Sequence, residues 1–347
     1  MEKTKILAFC YNTIPSAIVG VIKPLQFLQN KKFINFVYKE SRRVTEEDIL
    51  QSDVVISIRG AETIDVNNIR KAKAWGKYVI YYLDDDLLNI GELSRSYNKS
   101  YFQKPNIRAN VKIIMNTSHC LWTTNDNIGD RYKNIFEKIS VTGAPAVLLE
   151  YNKNSKAITD NDVLTIGFAG GKDHSSFIEK LLLKPLLTVL DKYKTKVKIE
   201  ICGLNPHTYR NKPVTYSPYM RNYDDYIKYM ISRKWDIAVA PLKDSKFHCC
   251  KYFNKFLEYG SIHAAGIYSN VEPFTYIVKD NENGLLVNNT IEDWTNGLIS
   301  LIEDNDMRNR IKKNAYDLLV RDFSIEKIAE EIMKSMPYLI TYKSVKK

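Results

Sequence analysis

Lys251, Lys255 and Glu258 recur at a spacing that gathers them on one side of a helix. At about 100° per residue they fall within roughly 60° of one another, while Phe253, Phe256, Leu257, Gly260 and Ala264 collect on the opposite side. The stretch KYFNKFLEYG (251–260) therefore predicts a helix with one packed face and one charged face. Two lysines in its first turns oppose the macrodipole, whose N-terminal end favours anions by about 0.3–1 kcal/mol per charge. A bound diphosphate would remove that conflict. A solvated face with an i,i+3 Lys255–Glu258 pair, contributing about 0.2–0.5 kcal/mol, accounts for the same pattern without a ligand.

Three further groups could share that chemistry. GFAGGKDH (167–174) ends an apolar run in paired glycines, Gly170 and Gly171, whose N–H groups can approach a phosphate, with Lys172 and His174 adding charge or hydrogen bonds. It is neither GxxxxGK[ST] nor GxGxxG, and taken alone the segment reads more plainly as a tight turn before a helix. Asp84, Asp85 and Asp86 follow the apolar run KYVIYYL. They could hold a divalent metal through hard oxygen ligands, cap the next helix, or, with Asp85 foremost, orient an acceptor hydroxyl or take its proton. NTIPSAIVG (12–20) offers Pro15, Ser16 and other compact residues where a donor could approach the backbone; an ordinary strand-to-helix connection is its plain reading. His119 and the Cys249–Cys250 pair suggest no nucleophile–base arrangement and read as packing residues.

Alternating elements must position these groups. Short apolar runs at 5–11, 33–38, 52–60, 77–83 and 120–124 are separated by helical patterns, including 108–117 and 126–137. A second series follows at 163–171, 196–203, 214–219, 234–242, 265–270 and 283–287. Strands alternating with helices predict parallel, doubly wound sheets. The polar, unpatterned segment 151–162 reads as a linker. The expected organisation is a first Rossmann-like unit at 1–155, a second at 160–322, and a C-terminal helical segment at 323–347 folding back on the first. Pro185 is expected to kink or divide the helix that contains it.

The 347 residues carry 51 Lys and Arg against 40 Asp and Glu, a net charge of +11. That balance suits an anionic ligand, nucleic acid or an anionic membrane surface, but no RNA-binding signature is present. No run of apolar residues reaches a membrane-spanning length, and the start, MEKTKILAFCY, reads as a first strand rather than a signal peptide. Five scattered cysteines without CxxC fit a reducing compartment, and with five histidines lacking HExxH they give no zinc or catalytic metal pattern.

Taken together, the segment KWDIAVAPLKDSKFHCCKYFNKFLEYGSIHAAGIYSNVEPFTYIVKDNENGLLVNNTIEDW, with IGFAGGKDH and YYLDDDLL, resembles the group 1 (family 4-like) glycosyltransferases. These are GT-B proteins, α/β chains with two facing Rossmann-like doubly wound domains and a cleft between them. The likeness covers most of 163–320 and the first half more loosely. It implies that Glu258, matching the second glutamate of an E-x7-E pattern, meets the donor ribose. Lys251 and Lys255 would meet the diphosphate, with Gly171 and Lys172 on its other side. Cys250 stands where the first glutamate belongs, so no sugar contact transfers from that position.

The resemblance implies a sugar transferase using a nucleotide-diphosphate sugar as co-substrate, with retention and with neither metal nor other cofactor. Lys251 and Asp85 would be the catalytic candidates, and Pro15, Ser16, Asp84 and Asp86 would face the acceptor. A glycan, lipid-linked or protein acceptor in bacterial cell-surface glycan synthesis is expected, in a cytoplasmic protein able to touch the inner face of the membrane. Two alternatives remain: a non-hydrolysing nucleotide-sugar epimerase on the same fold, and a basic, non-catalytic module for nucleic acid or membrane.

Overall fold

The computed structural model describes residues 3–92, 97–148, 163–171, 175–204 and 214–341. Two six-stranded sheets organise the chain, and every strand pairing within them is parallel. The first contains β1 (Lys5–Cys10), β2 (Asn35–Glu40), β3 (Val54–Ile58), β4 (Tyr78–Leu83), β5 (Cys120–Thr123) and β6 (Lys138–Val141), in the order β2-β1-β3-β4-β5-β6. The second contains β7 (Leu164–Ala169), β8 (Val197–Cys202), β9 (Val214–Ser217), β10 (Ile237–Ala240), β11 (Ala265–Ser269) and β12 (Leu285–Val287), in the order β12-β11-β10-β7-β8-β9. The central strands are apolar along their whole length because helices cover both faces. Leu7, Phe9, Val55, Val79 and Tyr81 face one core layer, while Ile6, Ala8, Ile56, Ile80 and Tyr82 face the other.

The order of each sheet reverses direction once, between β1 and β3 in the first and between β7 and β10 in the second. Ligands of open α/β sheets bind beyond the strand C-termini at such points. The two-sheet, doubly wound architecture is the GT-B arrangement expected from the resemblance.

Local details differ from the sequence reading. The chain is helical from Pro15, with proline in the first turn where its missing N–H costs nothing, and a π-helical turn at Ile18–Ile22 joins Pro15–Ala17 to Lys23–Asn30. The helix expected at 126–137 stops at Tyr132, and KISV forms β6 at the sheet edge. Pro185 does not divide its helix, which runs from Ser175 to Tyr193. The helix Ile325–Ser335 puts Ile328, Ala329 and Ile332 in the same core layer as β1 and β3, so it packs on the first sheet. The linker expected at 151–162 lies outside the described residues.

Candidate functional site

One cavity of about 990 Å³ is lined by both halves of the chain at the ends of their strands. Its size lies at the upper end of the roughly 300–1,000 Å³ typical of small-molecule sites. Of the residues singled out from sequence, Pro15, Ser16, Asp84, Asp85, Gly170, Gly171, Lys251, Lys255 and Glu258 all line it. Lys172 and His174 lie outside the described residues.

Asp86 does not line the cavity. Its carboxylate is fully buried and accepts hydrogen bonds from Arg131, Tyr132 and Asn89. The triplet thus divides: Asp84 and Asp85 face the cavity, and Asp86 ties the turn to the helix Asp126–Tyr132. Among the described residues no group of three or more His, Cys, Asp or Glu side chains is arranged to hold a metal ion.

Asp84 and Asp85 share Arg59, a residue the sequence reading did not select. Its Nη1 lies 3.6 Å from Asp84 Oδ1 and 3.3 Å from Asp85 Oδ2. Arg59 takes φ 49° just beyond β3, a left-handed conformation costing a non-glycine residue about 1–2 kcal/mol. The signal for it was an arginine ending one strand and an acidic run ending another, which matters only once β3 and β4 are known to be neighbours. Burial works against the guanidinium's charge, but the two carboxylates outweigh it and raise its pKa.

The carboxyl of Asp84 is held above the usual carboxylate range by burial, with Arg59 opposing the shift. A native pKa above the unfolded one means that the native state binds the proton more tightly. The stability from this group is complete below the unfolded pKa of about 3.9 and declines as pH rises through the native value. Asp84→Asn removes that titration. In urea melts at pH 4 and pH 7, the variant should gain on the wild type at the higher pH; a pH-independent gap would refute the assignment.

From the second half, Glu258 Oε2 accepts hydrogen bonds from Tyr226 Oη at 2.6 Å and from Lys255 Nζ. Tyr226, also missed from sequence, stays protonated because burial and the neighbouring carboxylate both drive its pKa far up. The i,i+3 pair expected between Lys255 and Glu258 is therefore present, but it lines a cavity rather than a solvated face.

The expected helix is shorter than 251–260. It begins at Asn254, after a short 3-10 turn at His248–Cys250, and Lys251 lies in extended backbone before it. The cause is tertiary. Asn125 Nδ2 donates to the carbonyls of Cys249 and Lys251 at 3.0 and 2.8 Å, and the second of these is an acceptor that a helix starting at Lys251 would use. Lys251 Nζ reaches across to Asp85 Oδ1 at 3.1 Å, joining the two halves. Cys250 is buried among first-half residues and does not line the cavity. Its thiol is pushed up by burial, so no anionic group occupies the position of the missing glutamate.

Two parallel α/β units presenting their strand ends to a shared cavity define the GT-B class. Within it, residues 255–318 match the family model described as "Glycosyl transferases group 1". The fold is similar to that of Anabaena HepE solved with UDP and glucose, with TM-score 0.64 and 12% identity over 96% of this chain and 99% of that one. Sucrose-phosphate synthase from Thermosynechococcus elongatus superposes with TM-score 0.65 at 9% identity, covering 97% and 99% of the two chains. A putative UDP-N-acetylglucosamine 2-epimerase from Listeria monocytogenes gives 0.59 at 11% identity, covering 97% and 96%. No curated protein matches the chain in sequence. Among the described residues no helix is long and apolar enough to cross a membrane.

Proposed function

We propose that the protein transfers a sugar from a nucleotide-diphosphate sugar to an acceptor hydroxyl, with retention of anomeric configuration and without a metal. The observation that carries this reading is the convergence of Lys251, Lys255 and Glu258 with the Gly170–Gly171 turn and the Asp84–Asp85–Arg59 group on one cavity. Glu258, with one oxygen held by Tyr226 and Lys255, is placed to accept from ribose hydroxyls. Lys251, Lys255 and the Gly171 N–H face the diphosphate, the Gly170 N–H being bonded instead to the Cys202 carbonyl at 3.0 Å. As the glycosidic bond breaks, charge gathers on the departing phosphate, and a cation already in place stabilises that state most. Asp85 and Asp84 lie on the opposite wall, where they orient the acceptor hydroxyl as it passes its proton to the leaving phosphate.

The match over 255–318 favours transfer over epimerisation, although the epimerase-like neighbour shares the fold. The family resemblance further supports a role in bacterial cell-surface glycan or glycoconjugate assembly. The five cysteines without a CxxC pair are consistent with a reducing, cytoplasmic site of action, and the +11 charge permits peripheral contact with an anionic membrane face.

A thermal-shift series with UDP, GDP, ADP and their sugars tests the donor reading. At 100 times its Kd one of them should add about 2.7 kcal/mol of stability, and Glu258→Ala should abolish the shift. No shift with any of them would overturn the reading.

A further inference from the structure

The segment from Lys246 to Lys251 belongs by position to the second half, yet the first half holds it. Arg131 Nη2 donates to the Lys246 carbonyl at 2.9 Å, and Asn127 Nδ2 to that of Cys249 at 3.1 Å. Asn125 Nδ2 places its two hydrogens on the carbonyls of Cys249 and Lys251, either side of Cys250. Phe247 and Cys250 sit in the core layer that contains Leu83, Leu87 and Ile128.

Asn125 is the centre of this arrangement. It is only 5% exposed, and its Oδ1 accepts from the Asn127 N–H at 2.8 Å, capping the helix Asp126–Tyr132. The site therefore requires one side-chain acceptor and two donors, a set an amide supplies. A carboxylate would face two carbonyl oxygens, and a hydroxyl could cap but not bridge. The backbone of Lys251 is pinned by Asn125, and its Nζ is held between Asp85 at 3.1 Å and the Phe247 ring, whose centroid is 4.9 Å away. All these fixing groups except Phe247 come from the first half, and Phe247 is itself packed into it.

We infer that Asn125 is a positioning residue for Lys251, so that a cation from the donor-binding half is aligned on the diphosphate by the framework of the acceptor half. The inference rests on Lys251 facing the diphosphate, as proposed above. It makes the joined state of the two halves a condition for reading the phosphate farthest from the nucleoside. Nucleoside recognition, which rests on Glu258 and Tyr226, does not share that condition.

The test is a double-mutant cycle read by calorimetry with UDP, GDP and ADP, each beside its monophosphate. Asn125→Ser keeps the helix cap and loses both donors. It should weaken the diphosphate that binds by about tenfold and its monophosphate by less than about twofold, and it should add nothing in a Lys251→Ala background. Unchanged diphosphate affinity, equal weakening of both nucleotides or additive losses in the cycle would overturn the inference. Should Asn125→Ser fail to fold, the cycle is run with Asn127→Ala, for which a smaller loss with the same diphosphate selectivity and non-additivity supports the inference and any other pattern overturns it. If no diphosphate binds the wild type, the donor-site reading falls and the inference with it; if one binds and the cycle is additive, the inference alone falls.

Discussion

Replacing Lys251 with alanine is expected to lower kcat/KM for sugar transfer by about 10²–10³, the usual effect of removing one group that stabilises charge developing in a transition state. Most of the loss should fall on kcat, because the charge on the leaving phosphate grows as the bond breaks. Stability should change little. The Lys251 and Asp85 side chains are only 22% and 18% exposed, but removing Lys251 leaves no carboxylate unpaired, because Asp85 retains Arg59 at 3.3 Å. The two readouts separate the possibilities. A folded variant with wild-type kcat/KM would reduce Lys251 to a tie between the halves, whereas a large drop in melting temperature would make it a structural residue.

The second large effect is expected at Gly203→Ala, just beyond β8. Gly203 has φ +87°, and a Cβ there would lie 2.0 Å from the carbonyl oxygen of Gly170. That oxygen cannot simply retreat, because the Gly170 N–H is bonded to Cys202 and the Gly203 N–H to Ser217. A left-handed alanine costs about 1–2 kcal/mol and forced overpacking typically another 1–3 kcal/mol, so a loss of about 2–5 kcal/mol in urea unfolding is expected. The displaced turn carries Gly170 and Gly171, so nucleotide binding should fall as well. Gly76→Ala is the control: it has φ +68° with nothing within 4 Å of the added carbon. It should show the backbone cost alone. Equal losses at both positions would mean that the contact with Gly170 is relieved cheaply and that the turn is not rigid.

Much of this architecture was legible in the sequence because the signals are local. Apolar runs bounded by polar turns mark eleven of the twelve strands among the described residues, and KISV escaped because β6 is short and only partly buried. The lysines and glutamate of 251–258, the double-glycine turn and the acidic turn were visible as residue types at strand and helix ends. Arg59 and Tyr226 were not, since each acquires meaning from a partner 25 to 32 residues away along the chain.

The charged set 251–258 shows where that division lies. Its composition and spacing are encoded in eight consecutive residues, and periodicity alone predicted a single amphipathic helix. The folded chain starts the helix at Asn254, extends Lys251 toward Asp85 and buries Cys250 in the opposite half. Consecutive residues set which backbone conformations are inexpensive and which faces are apolar. They cannot say that Asn125, more than a hundred residues earlier, will claim the carbonyls of Cys249 and Lys251. That competition exists only after two sheets have brought their strand ends together, and it turned a continuous charged helical face into a cross-cleft pair at Lys251 and a separate cluster at Lys255 and Glu258.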